Sequence, residues 1–124
     1  MNRPLSNFDI NSFAKKLKIP FWNGCHSRDL LPKRVPIMSM VINIQGSNDG
    51  DGTHWTSLII FNEIAIYFDS FGSLNPPFDI VNYVGSNIKI VNNYHRYQDY
   101  GTYNCGALCL IFLYDFWTWH QKNS

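Results

Sequence analysis

Apolar residues recur at Ile10, Phe13, Ala14 and Leu17, the i, i+3, i+4 and i+7 spacing of one helix face, and predict a first helix over Asn7 to Lys18. Ser6 or Asn7 can cap it, and Pro20 stands just past its end. From Phe21 to Pro36 the pattern breaks. Gly24, Pro32 and Pro36 are cues for irregular backbone, so this stretch, which holds Cys25 and His26, is expected to be loop with at most a turn of helix. Ile37 to Ile44 places apolar residues on both parities, which predicts a strand in the interior of a sheet. A polar run with three glycines, Gln45 to Gly52, then delivers the chain to His54. Trp55 to Phe61 and Ile64 to Asp69 predict a hairpin closed by Asn62 and Glu63. Phe78 to Val84 predicts a short helix and Ile88 to Val91 a short strand. The last apolar segment, Cys105 to Trp119, is good helix material that is apolar almost all the way round, and such a helix is expected in the middle of a domain rather than on its surface.

The hairpin carries a geometric consequence. With a two-residue loop, facing residues sum to 125, so Asp69 lies opposite Thr56 and His54 is two further along on the same face. His54 and Asp69 are then diagonal neighbours with Cβ atoms about 7 to 8 Å apart or somewhat less, within reach of an imidazole to carboxylate hydrogen bond. A three-residue loop would shift the parity and separate them.

The final helix adds a third group. Asn104 is a good N-cap, so Cys105 falls at the first helical position, where unpaired N–H groups and the helix dipole favour an anion. A thiolate is such an anion, and the same field favours a nucleophilic sulfur. The plainer alternative is a small buried thiol on a core helix. Gln98, seven residues before Cys105, supplies an amide. A thiol at a helix N-terminus, a His at the start of a strand, a carboxylate diagonal to it and a nearby amide are the parts that Cys-dependent acyl transfer requires.

Composition narrows the frame without redirecting it. A chain of 124 residues, 45% hydrophobic and 15% charged, is expected to form one domain over residues 1–124, and to work as a monomer. A net charge of +1 gives no electrostatic case for nucleic acid as main partner. Three cysteines, the lack of a secretory leader and the lack of an apolar run of membrane-spanning length predict a soluble intracellular protein with reduced thiols and no membrane partner.

Gly-Thr-His-Trp at 52–55, Tyr-Phe-Asp-Ser-Phe-Gly at 67–72, and Gln98 followed by Asn-Cys-Gly at 104–106 with a further cysteine at 109 resemble the adenovirus-type cysteine proteases, the adenain family. The ubiquitin-like-protein (SUMO) proteases of the same clan share these blocks. The resemblance spans about Leu5 to Trp119. It implies an α+β fold in which the nucleophile's helix packs against a small mixed sheet, with His54 as base, Asp69 orienting it, Cys105 as nucleophile, and Gln98 with the Cys105 N–H as oxyanion hole. It also implies that Trp55, beside the base and behind the glycine-rich loop ending at Gly52, walls a narrow cleft that takes a glycine before the cut.

The adenovirus enzyme is longer, and is activated by a disulfide-linked peptide and by DNA. No cysteine lies between Asp69 and Cys105, where the partner thiol would be, so neither activator is carried over and no cofactor is expected. The function this implies is a viral or mobile-element endopeptidase that matures structural precursors in the host cytoplasm or nucleus, or packaged in the virion. Processing of ubiquitin-like proteins is one alternative, and a catalytically silent binding module on the same fold is another, disfavoured because all four site residues are kept. Cys25, His26, Cys105 and Cys109 form a rival zinc set, disfavoured because structural zinc sites draw close-set pairs from turns; no metal is expected. His26, His95 and His120 are expected in loops or on the surface, Trp117 and Trp119 in the core or as surface plugs.

Overall fold

The computed structural model describes residues 5–45, 54–72, 75–93 and 104–123. Eight elements follow in chain order: α1 (Asn7–Leu17), β1 (Trp22–Ser27), β2 (Ile37–Asn43), β3 (Trp55–Phe61), β4 (Ile64–Phe68), α2 (Phe78–Val84), β5 (Lys89–Asn92) and α3 (Cys105–Asn123). The strands form one sheet in the order β1-β2-β3-β4-β5. Pairing is antiparallel for β2 with β3 and β3 with β4, and parallel at both edges. The fold is therefore α+β with a mixed sheet, as the resemblance implies.

Helix α1 starts where its side chains satisfy its first N–H groups. The Ser6 hydroxyl accepts from the Asp9 N–H at 3.1 Å, and the Asp9 carboxylate accepts from the Ser6 N–H at 3.0 Å, a reciprocal capping box. Of the predicted face, Ile10 and Ala14 are buried, while Phe13 and Leu17 are partly exposed.

The stretch read as loop after Phe21 contains β1. Local cues fail there because the strand exists only through its parallel partner β2, and its register slips between Trp22 and Cys25. Gly24 sits in that irregularity with φ of +94°, so the residue that signals a loop is the one that lets the strand bulge.

Two apolar layers sandwich the sheet. Ile10 and Ala14 of α1 and Cys109, Leu110, Leu113 and Trp117 of α3 pack with Val41, Trp55, Ile59 and Phe68 on one face. Ile80 and Val84 of α2 pack with Met38, Met40, Ile42, Leu58, Ile60 and Tyr67 on the other. The central strands β2 and β3 are thus apolar on both parities because both of their faces are covered. A buried polar contact crosses the first layer: the Trp117 indole N–H donates to the Ser39 hydroxyl at 2.7 Å.

The outer side of α3 departs from expectation. Its inner face is core, but Ile111, Tyr114 and Trp119 point outward with about half of their surface exposed or more. Among the described residues no helix is long and apolar enough to cross a membrane.

Candidate active site

The hairpin delivers the first two groups. Phe61 pairs with Ile64 and Ser57 with Phe68, the register of a two-residue loop, and Asn62 takes the positive φ of 57° that the first position of a primed hairpin turn requires. His54, one residue before β3, and Asp69, one residue after β4, then meet. His54 Nε2 lies 2.9 Å from Asp69 Oδ1, with 8% of His54 and 1% of Asp69 exposed.

Both partners are held from outside the hairpin. The Phe71 N–H donates to the same Asp69 Oδ1 at 3.0 Å, and the Phe71 ring stacks on the imidazole at 4.5 Å between centroids and 15° between planes. The Asn93 carboxamide grips the Asp69 backbone from the end of β5. Asp69 Oδ2 is buried and makes no hydrogen bond among the described residues.

Cys105 comes to this pair from the start of α3. The Leu108 N–H donates to the Asn104 carbonyl at 2.9 Å, the first intrahelical bond, so Asn104 stands in the capping position and Cys105 opens the helix. The Trp55 N–H lies 3.5 Å from the Cys105 sulfur. Gly106 makes this closeness possible: a Cβ there would sit 3.2 Å from both Trp55 Cδ1 and Leu5 Cδ1, tighter than ordinary contacts. Trp55 is itself fixed, its indole N–H donating to the Leu5 carbonyl at 2.9 Å.

The electrostatics of His54 combine these contacts. Burial pulls its pKa down, but hydrogen bonding to Asp69 and to Cys105, with the negative charge of each, outweighs burial and brings it up to about 9. With Nε2 engaged by Asp69, the buried Nδ1 is the ring nitrogen left to serve the thiol.

The other two thiols are set apart by the same physics. Burial pushes Cys25 up to about 12, and Cys109, wholly buried one turn into α3, well above its ordinary value. A thiol of pKa 12 is ionised to about one part in 10⁶ at pH 6, which outweighs the greater exposure of Cys25. Iodoacetamide at pH 6 is therefore expected to label Cys105 ahead of Cys25 and Cys109, as read by peptide mapping; equal labelling of all three would overturn the assignment.

Of the residues singled out in the sequence, the structure brings together His54, Asp69, Cys105 and Trp55. Gln98, Gly52 and His95 lie outside the described residues. His26 is on β1 with its Nε2 2.6 Å from the Asn23 carbonyl, and His120 packs among Phe61, Phe116 and Trp117. Among the described residues no group of three or more His, Cys, Asp or Glu side chains is placed to hold a metal ion. Phe71, Asn93 and the contact role of Gly106 had no reading from sequence. Phe71 and Gly106 stand inside the blocks that carry the resemblance; nothing local marks Asn93.

Neither a protein-family model nor a curated protein sequence matches the chain. Solved structures do. The SUMO protease Ulp1, with its catalytic cysteine oxidised to a sulfinic acid, superposes with a TM-score of 0.59 at 16% identity over 91% of this chain and 66% of its own. The ASFV protease superposes with a TM-score of 0.59 at 15% identity over 92% of this chain and 57% of its own. The chain thus spans about three fifths to two thirds of the length of these relatives, and it shares with both the fold of a cysteine protease.

Proposed function

We propose that the chain is a cysteine endopeptidase that cleaves polypeptides through an acyl-enzyme. The observation that carries this reading is the buried His54–Asp69 pair at 2.9 Å with Cys105 beside it at the start of α3. His54 takes the thiol proton, and the Cys105 sulfur attacks the scissile carbonyl carbon. The tetrahedral intermediate then collapses, breaking the C–N bond as the imidazolium protonates the leaving amine. Water, deprotonated by His54, next attacks the thioester; the acid is released and the proton returns to the thiol. Gln98 and the Cys105 N–H stabilise the oxyanion. The chain's own residues suffice for these steps, with no peptide or nucleic-acid activator and no metal. A peptide vinyl sulfone is expected to modify Cys105 alone and to stop cleavage in proportion to its incorporation; modification of Cys25 or Cys109 instead would overturn the proposal.

The substrate reading follows from how little of the site is open. Cys105 is 1% and Trp55 6% exposed, and the indole is pinned between Leu5 and Gly106. On this reading Trp55 walls the cleft at the cut and leaves room there for glycine, with Gly52 as a second substrate contact. Replacing that glycine by Val in a peptide substrate is expected to lower kcat/KM by at least about one to two orders of magnitude, because a branched side chain displaces the indole or tilts the carbonyl away from its donors. Equal acceptance of Val, Leu or Lys in a position-randomised library would remove Trp55 from the cleft.

For biological role we take maturation of viral or mobile-element precursors, supported by the fold likeness to the ASFV protease. The likeness to a SUMO protease supports a second reading, processing of ubiquitin-like proteins. Cleavage of SUMO fusions faster than of unstructured Gly-containing peptides would select the second.

A further inference from the structure

The geometry points to Asn93 as a positioning residue that aligns Asp69 with His54 by replacing a missing rung of the sheet; this rests on the protease reading above. Parallel pairing of β4 with β5 ends at Tyr67 and Asn92. The next residue, Asn93, continues the ladder with its side chain. Its Nδ2 donates to the Asp69 carbonyl at 2.6 Å, and its Oδ1 accepts from the Asp69 N–H at 2.8 Å. Both bonds fall on the backbone of one residue, so together they fix the peptide planes on either side of the Asp69 Cα and with them the direction of its Cβ. The Asp69 carbonyl also accepts from the Gly72 N–H at 2.9 Å, and Oδ1 is shared by the Phe71 N–H and His54. Asp69 is thus located by contacts ahead of it and behind it. Among the described residues, Asn93 is the side chain that binds both the N–H and the C=O of Asp69.

A carboxamide suits this place for a physical reason. One donor and one acceptor on a planar group match the C=O and N–H of one strand residue, as a facing backbone would. Aspartate keeps the acceptor but sets a second acceptor against the carbonyl. Alanine keeps neither. Among the described residues Asn93 bonds to the Asp69 backbone, and its removal acts through Asp69: a displacement approaching 1 Å at a catalytic group costs on the order of 10² in rate.

The test uses the full chain and two variants, Asn93→Ala and Asn93→Asp. Each is expected to lower kcat about tenfold to a hundredfold while KM stays within about twofold, since substrate contacts are untouched. A purely structural role would not move the second readout, the His54 titration followed by NMR. The groups that raise it are Asp69 and Cys105, so a displaced Asp69 lowers the midpoint from about 9, with Cys105 alone left to offset burial. Folded variants with the wild-type kcat and His54 midpoint would overturn the inference. So would two variants that fail to fold at 25 °C, because Asn93 would then be a requirement of the sheet. A wild-type chain that neither cleaves peptide nor reacts with vinyl sulfone would instead overturn the protease reading, and the His54 midpoint in the variants would still report the clamp.

Discussion

His54→Ala is expected to abolish turnover, and Asp69→Asn to leave a folded enzyme of reduced rate. The difference lies in what each group does to the proton. In the proposed mechanism His54 is the base that takes it from Cys105 and the acid that returns it to the amine: Nε2 is held by Asp69, which leaves Nδ1 to face the thiol. Asp69 takes no proton. It holds Nε2 and stabilises the imidazolium, and an asparagine at the same place keeps an Oδ1 that can accept from both the Phe71 N–H and His54. What asparagine lacks is the charge. The His54 midpoint, about 9 in the native chain, falls in Asp69→Asn, and the alkaline limb of kcat/KM moves to lower pH with it. The stability linkage has the same direction. His54 is raised on folding from its ordinary 6.5 to about 9, so its contribution is fully present below pH 6.5 and is lost as pH rises through about 9. A pH profile of kcat/KM and a thermal unfolding series from pH 6 to 10 check both. Unchanged profiles in Asp69→Asn would mean that Asp69 does not act on His54.

Gln98→Ala is expected to lower kcat by about 10² to 10³ with little change in KM, the loss that follows when one oxyanion donor is removed. The first intrahelical bond of α3 runs from Leu108 to Asn104, so the N–H of Cys105 is not used within the helix, and the proposal gives it to the oxyanion. One backbone donor leaves a tetrahedral oxyanion half satisfied, and on the proposed reading the Gln98 amide supplies the second. The amide strengthens its bond as the carbonyl oxygen gains charge, which is why the effect falls on kcat. Steady-state kinetics on one Gly-containing peptide decide it: an unchanged kcat with raised KM would move Gln98 from catalysis to substrate binding.

How much of this site the sequence determined follows from how local each constraint is. The meeting of His54 and Asp69 was legible because it needs only a two-residue turn and the period of a strand: once Asn62 and Glu63 close the hairpin, parity brings both residues to the same end of the sheet. The cap of α1 and the position of Cys105 at the start of α3 were legible for the same reason, since each is decided within one helical turn. What lay beyond reach depends on partners far along the chain. Strand β1 is made by β2, with Gly24 serving as a bulge instead of a break. The outward side of α3 is set by which faces the sheet and α1 cover. Gly106 matters only because Leu5 and Trp55 close on it, and Asn93 only because the pairing of β5 with β4 stops at Tyr67, two residues short of Asp69. Hydrophobic period and turn chemistry act over a few residues and place the reacting groups; close packing and hydrogen bonds between distant segments decide how firmly those groups are held.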